Sequence, residues 1–481
     1  TLNINNATVS DNTLTLEKDA ALAFNVNEIN TADTIQNGGK IDSDIKLNAD
    51  ANLKVSTYVE HGSEAGEGSY TFANSVDTAN GQWKLTTTIY NGLYNYDTNL
   101  NDENNTLNFT FKKKNATEIA QDFGTDKETA DEILALTGGT SDNKQFNQIS
   151  EAVSQKAQAG DQNLPNELND LNDNTQGNLE AARSVNDILG KNIANRLNIR
   201  QNYNVYGLSG GDFSEYEPEI WANVLYQKAE NSGAFDYTAD TKGVIAAIDG
   251  KAGKNLTVGI GYAYQQTDLD SDSKSIDIDT HSVFGYAEYL KNHWFANGLV
   301  SYNMSSNNQT KQAFGVNISG DYDTDVLGTQ LMAGREFYGC TENHILRLRP
   351  QAGLRYYKIN QDGYTDSAGM NYNSTDSDVV TGVLGVEISD NTDYRGAKIM
   401  PKAFINATYD LKNDDSSMLV KLPNGTAYNV SQESNGKFGI EAGVGVEMAV
   451  TDNAKVGVSY EYDWRDDYSA HTGLLNLKYA F

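Results

Sequence analysis

The 481-residue sequence predicts a mainly β chain. A twelve-stranded antiparallel transmembrane β-barrel with a lumen helix forms its C-terminal part. A helical region precedes the barrel, and a β-rich, β-solenoid-like part comes first. Three observations predict this. From residue 216 onward, strand follows strand with apolar residues at a period of two. The closing stretch HTGLLNLKYAF keeps that alternation, with Phe481, Tyr479, Leu477 and Leu475 on one face and Ala480, Lys478 and Asn476 on the other. Ahead of the strands, Ala181, Val185, Leu189, Ile193 and Leu197 recur every four residues, as on one stripe of a helix.

Composition sets the bounds. Glycine (42), tyrosine (28) and phenylalanine (15) are abundant and proline (5) is rare, which suits long regular strands. Mean hydropathy is −0.57, and no run of about 18 apolar residues exists to form a spanning helix. Barrel strands hide their membrane signal in alternation, so this does not exclude a membrane. A net charge of −30 argues against nucleic acid as a partner; its plain meaning is a soluble exterior. The one cysteine, Cys340, permits no internal disulfide. TLNINNATVS lacks the basic start and apolar core of a signal peptide, so we expect a mature chain or a piece of a longer one.

Taken in order, residues 1–114 are rich in Asn, Thr, Asp and Gly. Short strand-like runs such as TLTLEK, ALAFNV, NLKVSTYV and TLNFTFKKK alternate there with turns. A stacked solenoid or a sandwich fits, and the repeat is too irregular to name from period alone. Residues 115–200 read as helices: ATEIAQDF, KETADEILALTGG with its Gly138–Gly139 stop, KQFNQISEAVSQKAQ, and the segment ending ILGKNIANRL. The apolar stripe of that last helix is about 24 Å long at 1.5 Å per residue, with Arg183, Lys191, Arg196 and Arg200 beside it.

Residues 201–481 supply the barrel strands, about twelve of roughly ten or more residues. KVGVSYEYDW puts Val456, Val458, Tyr460, Tyr462 and Trp464 on one face. FGIEAGVGVEMAV does the same with Val444, Val446 and Met448. The opposite faces mix glycine with charge: Arg347, Arg349 and Arg355, and Glu441, Glu447 and Glu461. An aliphatic face with aromatic ends suits lipid, and a face of glycine and charge suits a narrow polar lumen. Pro350 is awkward in a closed ladder and implies a bulge or local irregularity.

Three stretches together resemble the autotransporter family of bacterial outer membranes. EIWANVLYQKAENSG, with Trp221 and Ala222, is similar to its first barrel strand; HTGLLNLKYAF is similar to its closing strand; the helix ending ILGKNIANRLNIRQN is similar to the segment that threads the barrel. The resemblance covers 115–481 well and 1–114 only in style. It implies an outer-membrane translocator and anchor that exports an N-terminal passenger and displays it at the cell surface. Residues 1–114 are then a passenger remnant, 115–200 a linker ending in the pore helix, and 201–481 the barrel. Phe481, Tyr479, Leu477 and Leu475 match the signal read by the barrel-assembly machinery, an implied partner alongside outer-membrane lipid, lipopolysaccharide and the protein's own passenger segment. Ala181, Arg183, Val185, Leu189, Lys191, Ile193, Arg196 and Leu197 match the pore helix. We expect its stripe to lean on a glycine-rich wall, and Arg183, Lys191 and Arg196 to pair with Glu441, Glu447 and Glu461.

No enzyme motif, metal ligand set or cofactor loop stands out, so no catalytic role and no cofactor is expected. The five histidines (61, 281, 293, 344, 471) lack ligand spacing. Asp268, Asp270, Asp272 and Asp279 fit positions of a calcium loop, but Ser273 replaces its glycine and strands flank it, so a solvated hairpin is expected. Cys340 beside Gly339 reads as a turn. Some family members cut themselves at an Asn-Asn pair in the helix; here Asn192 and Asn195 are not adjacent, which puts cleavage in doubt. A surface adhesin, or a barrel-based enzyme or porin, are the alternative readings.

Overall fold

A computed structural model gives the side chains of residues 91–95, 112–173, 176–197 and 218–481 apart from 234–235, 342–343, 393–397, 414 and 452. Before residue 112 it otherwise describes strand backbone, with Thr15 added, and residues 204–217 are outside the description.

Twelve long strands close one antiparallel barrel: β1 Glu219–Asn231, β2 Tyr237–Gly253, β3 Leu256–Asp270, β4 Lys274–Lys291, β5 Trp294–Ala313, β6 Val316–Arg335, β7 His344–Gln361, β8 Thr375–Tyr394, β9 Ala397–Lys412, β10 Phe438–Ala449, β11 Ala454–Arg465 and β12 Tyr468–Ala480. Each pairs with its chain neighbour. Pairing of β12 with β1, from Glu219–Ala480 to Asn231–Tyr468, removes both edges of the sheet. Tight hairpins use left-handed residues where the twist demands them, as at Asn292–His293 (φ 52° and 67°) and Phe314–Gly315 (φ 51° and 75°).

Strand β5 shows how the wall meets its surroundings. Trp294, Val300, Tyr302 and Met304 point outward and are exposed. From Ser306 to Gln312 the outward residues are polar. The apolar reach, Trp294 to Met304, is ten residue steps, about 33 Å along the strand. At a tilt of about 40° it spans about 25 Å across a membrane, the height of an outer-membrane apolar band. The strands continue past that band, and beyond it their inner face turns apolar, with Val316, Ile318 and Tyr322 buried.

Pro350 points outward from β7 and causes no register shift. The ladder to β6 runs to Gly334–Gln351 and resumes at Phe337–Leu348 in the same register. The step opposite Pro350, which has no N–H to donate, is left unpaired. Pro401 on β9 stands opposite a similar gap, between Ser389–Lys402 and Thr392–Ile399. The irregularity expected at Pro350 is therefore a missing step, not a bulge.

The extended rim carries a helical cap: α1 Ala116–Phe123, α2 Lys127–Leu136, α3 Lys144–Ala159 and α4 Leu164–Leu171. Asn115 and Glu118 form a capping box on α1, and Gly124 and Gly160 end α1 and α3 in left-handed geometry. Sequence spacing predicts α1 to α3. It misses α4, whose two turns carry Pro165 in the first. The cap is no free connector. Ile133, Phe146, Ile149 and Leu168 share one core with Ile318 and Tyr322 of β6, Tyr372 of the 364–372 hairpin, and Val420 and Tyr428 of the 416–432 hairpin.

In the N-terminal part, three ladders are parallel. Thr13 pairs with Asp44 and Ile45 with Val76, offsets of 31 residues; Thr8 pairs with Lys40 and Ile41 with Ala73, offsets of 32. In the third ladder Ala21 pairs with Asn52 and Ala51 with Trp83, offsets of 31 and 32, while Leu2 pairs with Leu22 at 20; a nearly repeating offset is the pairing pattern of stacked coils. An antiparallel hairpin, Tyr94–Asn101 with Thr106–Lys113, ends the stack.

Candidate pore and plug

Helix α5, Thr175–Tyr203, runs through the barrel. Near the capped end the Gln176 amide donates to Gln432 Oε1 of the 416–432 hairpin at 2.8 Å. Near the far end Arg196 meets Glu219 at the start of β1. Between these points Arg183, Val185, Leu189, Lys191, Ile193, Arg196 and Leu197 are all buried, and Ala181 is partly buried.

The helix fills the lumen with two chemically different sides. Ile188, Leu189, Ile193 and Leu197 pack on inward apolar residues of β1 to β5 and β12, including Trp221, Leu225, Ile245, Phe284 and Tyr286. The stripe therefore leans on an aromatic and aliphatic wall, not on the glycine-rich wall expected. Glycines serve the close approach to β6. A β-carbon on Gly328 would collide with Asn186 Oδ1, and one on Gly190 of α5 would meet Gln330 Oε1. Elsewhere the wall glycines lie under inward rings, Gly259 beneath Tyr286 and Gly261 beneath Phe284.

The polar side is a ladder of buried ion pairs. Arg183 donates two bonds to Asp410 on β9, at 2.6 and 2.7 Å, and Arg465 donates to Glu180 at 2.6 Å. Arg355 reaches Asp187 at 3.1 Å and grips Glu441, with one bond at 3.0 Å. Lys191 donates to both oxygens of Asp463 (2.7 and 2.6 Å) and lies 3.6 Å from Glu461. Arg196 forks onto Asp249 at 2.6 and 2.7 Å and also touches Glu219. Trp221 Nε1 donates to the Tyr286 hydroxyl, which donates to Asp249, so the wall residue Trp221 is tied to the helix.

These partners correct the expected ones. Of the pairings open to these three cations and three glutamates, only Lys191 with Glu461 forms, and Asp463 is closer. Glu441 is held by Arg355, and Glu447 by Lys478. Arg347, Arg349, Arg355, Glu441, Glu447 and Glu461 do all face inward and are buried. Arg347 pairs with Glu336, while Arg349 pairs with Glu288 and lies over the Phe295 ring at 3.4 Å. Asp249 and Asp410 are missed at the sequence level, and Asp463, inward by the alternation of its strand, is given no partner there; all three have inward parity, and that parity is the signal that finds them.

Around α5 the described residues of the lumen line small separate cavities. One of about 30 Å³ is lined by Arg183, Asp187, Lys191, Arg355, Glu441 and Asp463. Another, of about 20 Å³, lies beside Gly190 and Gln330. Cavities of this kind hold water on ionised walls.

The capped mouth is closed a second time. Asp173 accepts from Gln309 at 2.7 Å, lies 3.3 Å from Lys311, and accepts from the Tyr364 hydroxyl. The Tyr322, Tyr364 and Tyr372 rings stack beside it with centroids 4.8 Å apart. Glu132 of α2 is buried in the seam between cap and hairpin. Its Oε2 accepts from Asn172 at 3.0 Å, and its Oε1 has no hydrogen-bond partner. Burial pushes its carboxyl up to about 8, against the lowering pull of the Asn172 hydrogen bond, the nearby Tyr428 hydroxyl and the charges of Lys274 and Lys311.

Phe481, Tyr479, Leu477 and Leu475 point outward and are exposed on the apolar band. Tyr479 and Phe481 meet edge to face at 5.3 Å, and the Phe481 amide donates to Pro218 O at 3.3 Å. Asp268 and Asp270 lie on β3, Asp272 in the turn and Asp279 on β4 across from Gln266, so no single loop gathers the four. Asn192 accepts from Asn223 at 2.6 Å, and Asn195 donates to Glu461 at 3.1 Å. His61 lies outside the described residues.

The family model described as "Autotransporter beta-domain" matches residues 220–461. Outer membrane protein B of Rickettsia prowazekii (strain Madrid E) is 25% identical over 298 residues, covering 57% of this chain and 18% of that protein. Outer membrane protein A of Rickettsia conorii (strain ATCC VR-613 / Malish 7) is 23% identical over 270 residues, covering 51% and 13%. The chain thus spans less than a quarter of the length of these relatives. Among solved structures, the translocator domain of autotransporter NalP from Neisseria meningitidis aligns with a TM-score of 0.47 and 18% identity, over 60% of this chain and 96% of its own. The beta domain of the Bordetella autotransporter BrkA aligns at 0.45 and 18%, over 55% and 100%.

Proposed function

Because this chain belongs to the autotransporter family, and its barrel is an outer-membrane translocator, we propose that α5 is the last exported segment, left in the pore, and that the cap then folds on the outside as a lid. The displayed part includes the coils of residues 1–114. The capped end is read as the cell exterior because it carries the longer connections, 362–374 and 413–437, while the other end has turns as short as 254–255 and 292–293.

One observation carries this reading: α5 is tied at both mouths, by Gln432 at one end and by Glu219 and Asp249 at the other. Among the described residues a helix so placed leaves no continuous channel, and on this reading the anchored protein sits closed. Outer-membrane lipid surrounds the apolar band. The barrel-assembly machinery reads the strand that ends in Phe481. The role is export, anchoring and display, with no reaction assigned to it. Surface adhesion through residues 1–114 is compatible with that role and follows from it.

Limited proteolysis of intact cells expressing the full chain tests the proposal. Protease added outside should cut within residues 1–173 and leave a protected fragment that begins near Thr175. A protected fragment that begins at or after residue 204, or a cap untouched until the cells are lysed, would refute it.

A further inference from the structure

Across β7 to β11 the lipid-facing wall is not smooth. An open trough of about 520 Å³ runs there, within the size range of ligand sites. Its floor is where two small side chains, Ala403 of β9 and Ala442 of β10, stand on neighbouring cross-strand rows. The first row runs Leu348, Ile388, Ala403, Val444 and Tyr460, each paired with the next. The second runs Val386, Ile405, Ala442, Tyr462 and His471. Ile405 and Val444, both exposed, form the banks beside the two alanines.

The rows climb through the membrane. On β8 they start beside Asp390, where outward residues turn polar at the periplasmic side. On β12 the second row ends at His471, whose next cross-strand neighbour is Lys228 of β1. There the wall offers hydrogen-bonding groups. His471 shares a hydrogen bond with the Tyr460 hydroxyl and packs on Tyr462 at 4.9 Å, and Lys228 is half-exposed, 3.8 Å from Glu230. The trough itself is apolar and ends at Tyr460 and Tyr462; the second row continues beyond it to a histidine and a lysine. Aromatic residues with a basic neighbour at a membrane boundary suit a lipid headgroup.

We propose that this trough binds one outer-leaflet lipid, with a saturated acyl chain over Ala403 and Ala442 and a phosphate at His471, Tyr462 and Lys228. The occupant follows from the continuity of the trough with the lipid band and from the charge beyond its outer end. The proposal rests on the orientation given under the proposed function. Its failure is separable, because surface proteolysis reads the orientation without reference to bound lipid.

The test is native mass spectrometry of the full chain, extracted in detergent and mixed with bisphosphorylated lipid A. One lipid should survive collisional activation per chain. Filling the floor, by Ala403→Phe with Ala442→Phe, should cut the retained fraction at least tenfold while heat-modifiable mobility stays that of the folded barrel. Ala296→Phe, on the outward face of β5 far from the trough, should leave retention unchanged. His471→Ala with Lys228→Ala should reduce retention of lipid A to that of its dephosphorylated form. Equal retention by the floor variant overturns the proposal, as does equal retention of the dephosphorylated lipid by the parent chain. A dimer that the floor variant abolishes would assign the trough to a second copy of the chain instead, and would also overturn it.

Discussion

Replacing Arg183 with leucine tests whether the plug is held by charge. Arg183 and Asp410 are 4% and 1% exposed and share two bonds at 2.6 and 2.7 Å. With Glu180 and Arg465 they form a neutral quartet of two cations and two anions, Arg465 lying 3.9 Å from Asp410. Arg183→Leu leaves one excess anion out of water. Removing one partner of such a pair costs about 3–5 kcal/mol. The low end is expected here, because Arg465 and the Thr381 hydroxyl, which donates to Asp410 at 2.7 Å, remain. Arg183→Leu with Asp410→Leu restores neutrality and buries apolar volume, so it should stay within about 1 kcal/mol of the parent chain. Denaturant titration of the folded barrel in detergent measures all three, with Asp410→Leu completing the cycle. Planar-bilayer conductance of the same samples reports the pore, and the single variant should open more often than the double. Additive single effects, or an Arg183→Leu cost below about 0.5 kcal/mol, the level of a surface change, would refute a charge-held plug.

Three further outcomes are expected. Glu132 is protonated more readily in the folded cap than in an unfolded chain, so its stabilising contribution is full below pH about 4.5 and is lost as pH rises towards about 8. The slope in that window is about 1.4 kcal/mol per pH unit for one proton. Hydrogen exchange in α1 to α4 should quicken from pH 5 to pH 9 beyond its intrinsic rise; Glu132→Gln should abolish the excess, and an unchanged excess would count against the seam. Val444→Arg, on the lipid face, should cost about 2–4 kcal/mol in a folding titration, while Asn308→Arg, above the band, should change stability by less than about 0.5. Deleting Phe481 should leave most of the chain without heat-modifiable mobility in membrane fractions; a normal yield of folded barrel would argue against a terminal assembly signal.

Alternation is a local property, and it is enough to sort the barrel residues. A strand with period two must send Arg347 and Glu441 to one face and Leu348 and Val444 to the other, whatever their neighbours. The same is true of the stripe on α5, which marks it as a helix with one apolar side. Chemistry then assigns the faces, because lipid takes the aliphatic side and the enclosed lumen takes the charged one. Caps and stops such as Asn115 and Gly160 are equally local, so α1 and α3 are legible from their ends. Pairing partners are not. Whether Arg183 meets Glu441 or Asp410, 227 residues away, depends on the shear of the barrel and the rotation of the helix in the lumen. Both follow from the packing of all twelve strands around α5. The height of the strands above the band, and with it the docking of the cap, likewise arises only when β5 and β6 stand side by side. Their inner face past the lipid is then apolar and must be covered, which makes a lid of helices that the sequence shows only as amphipathic.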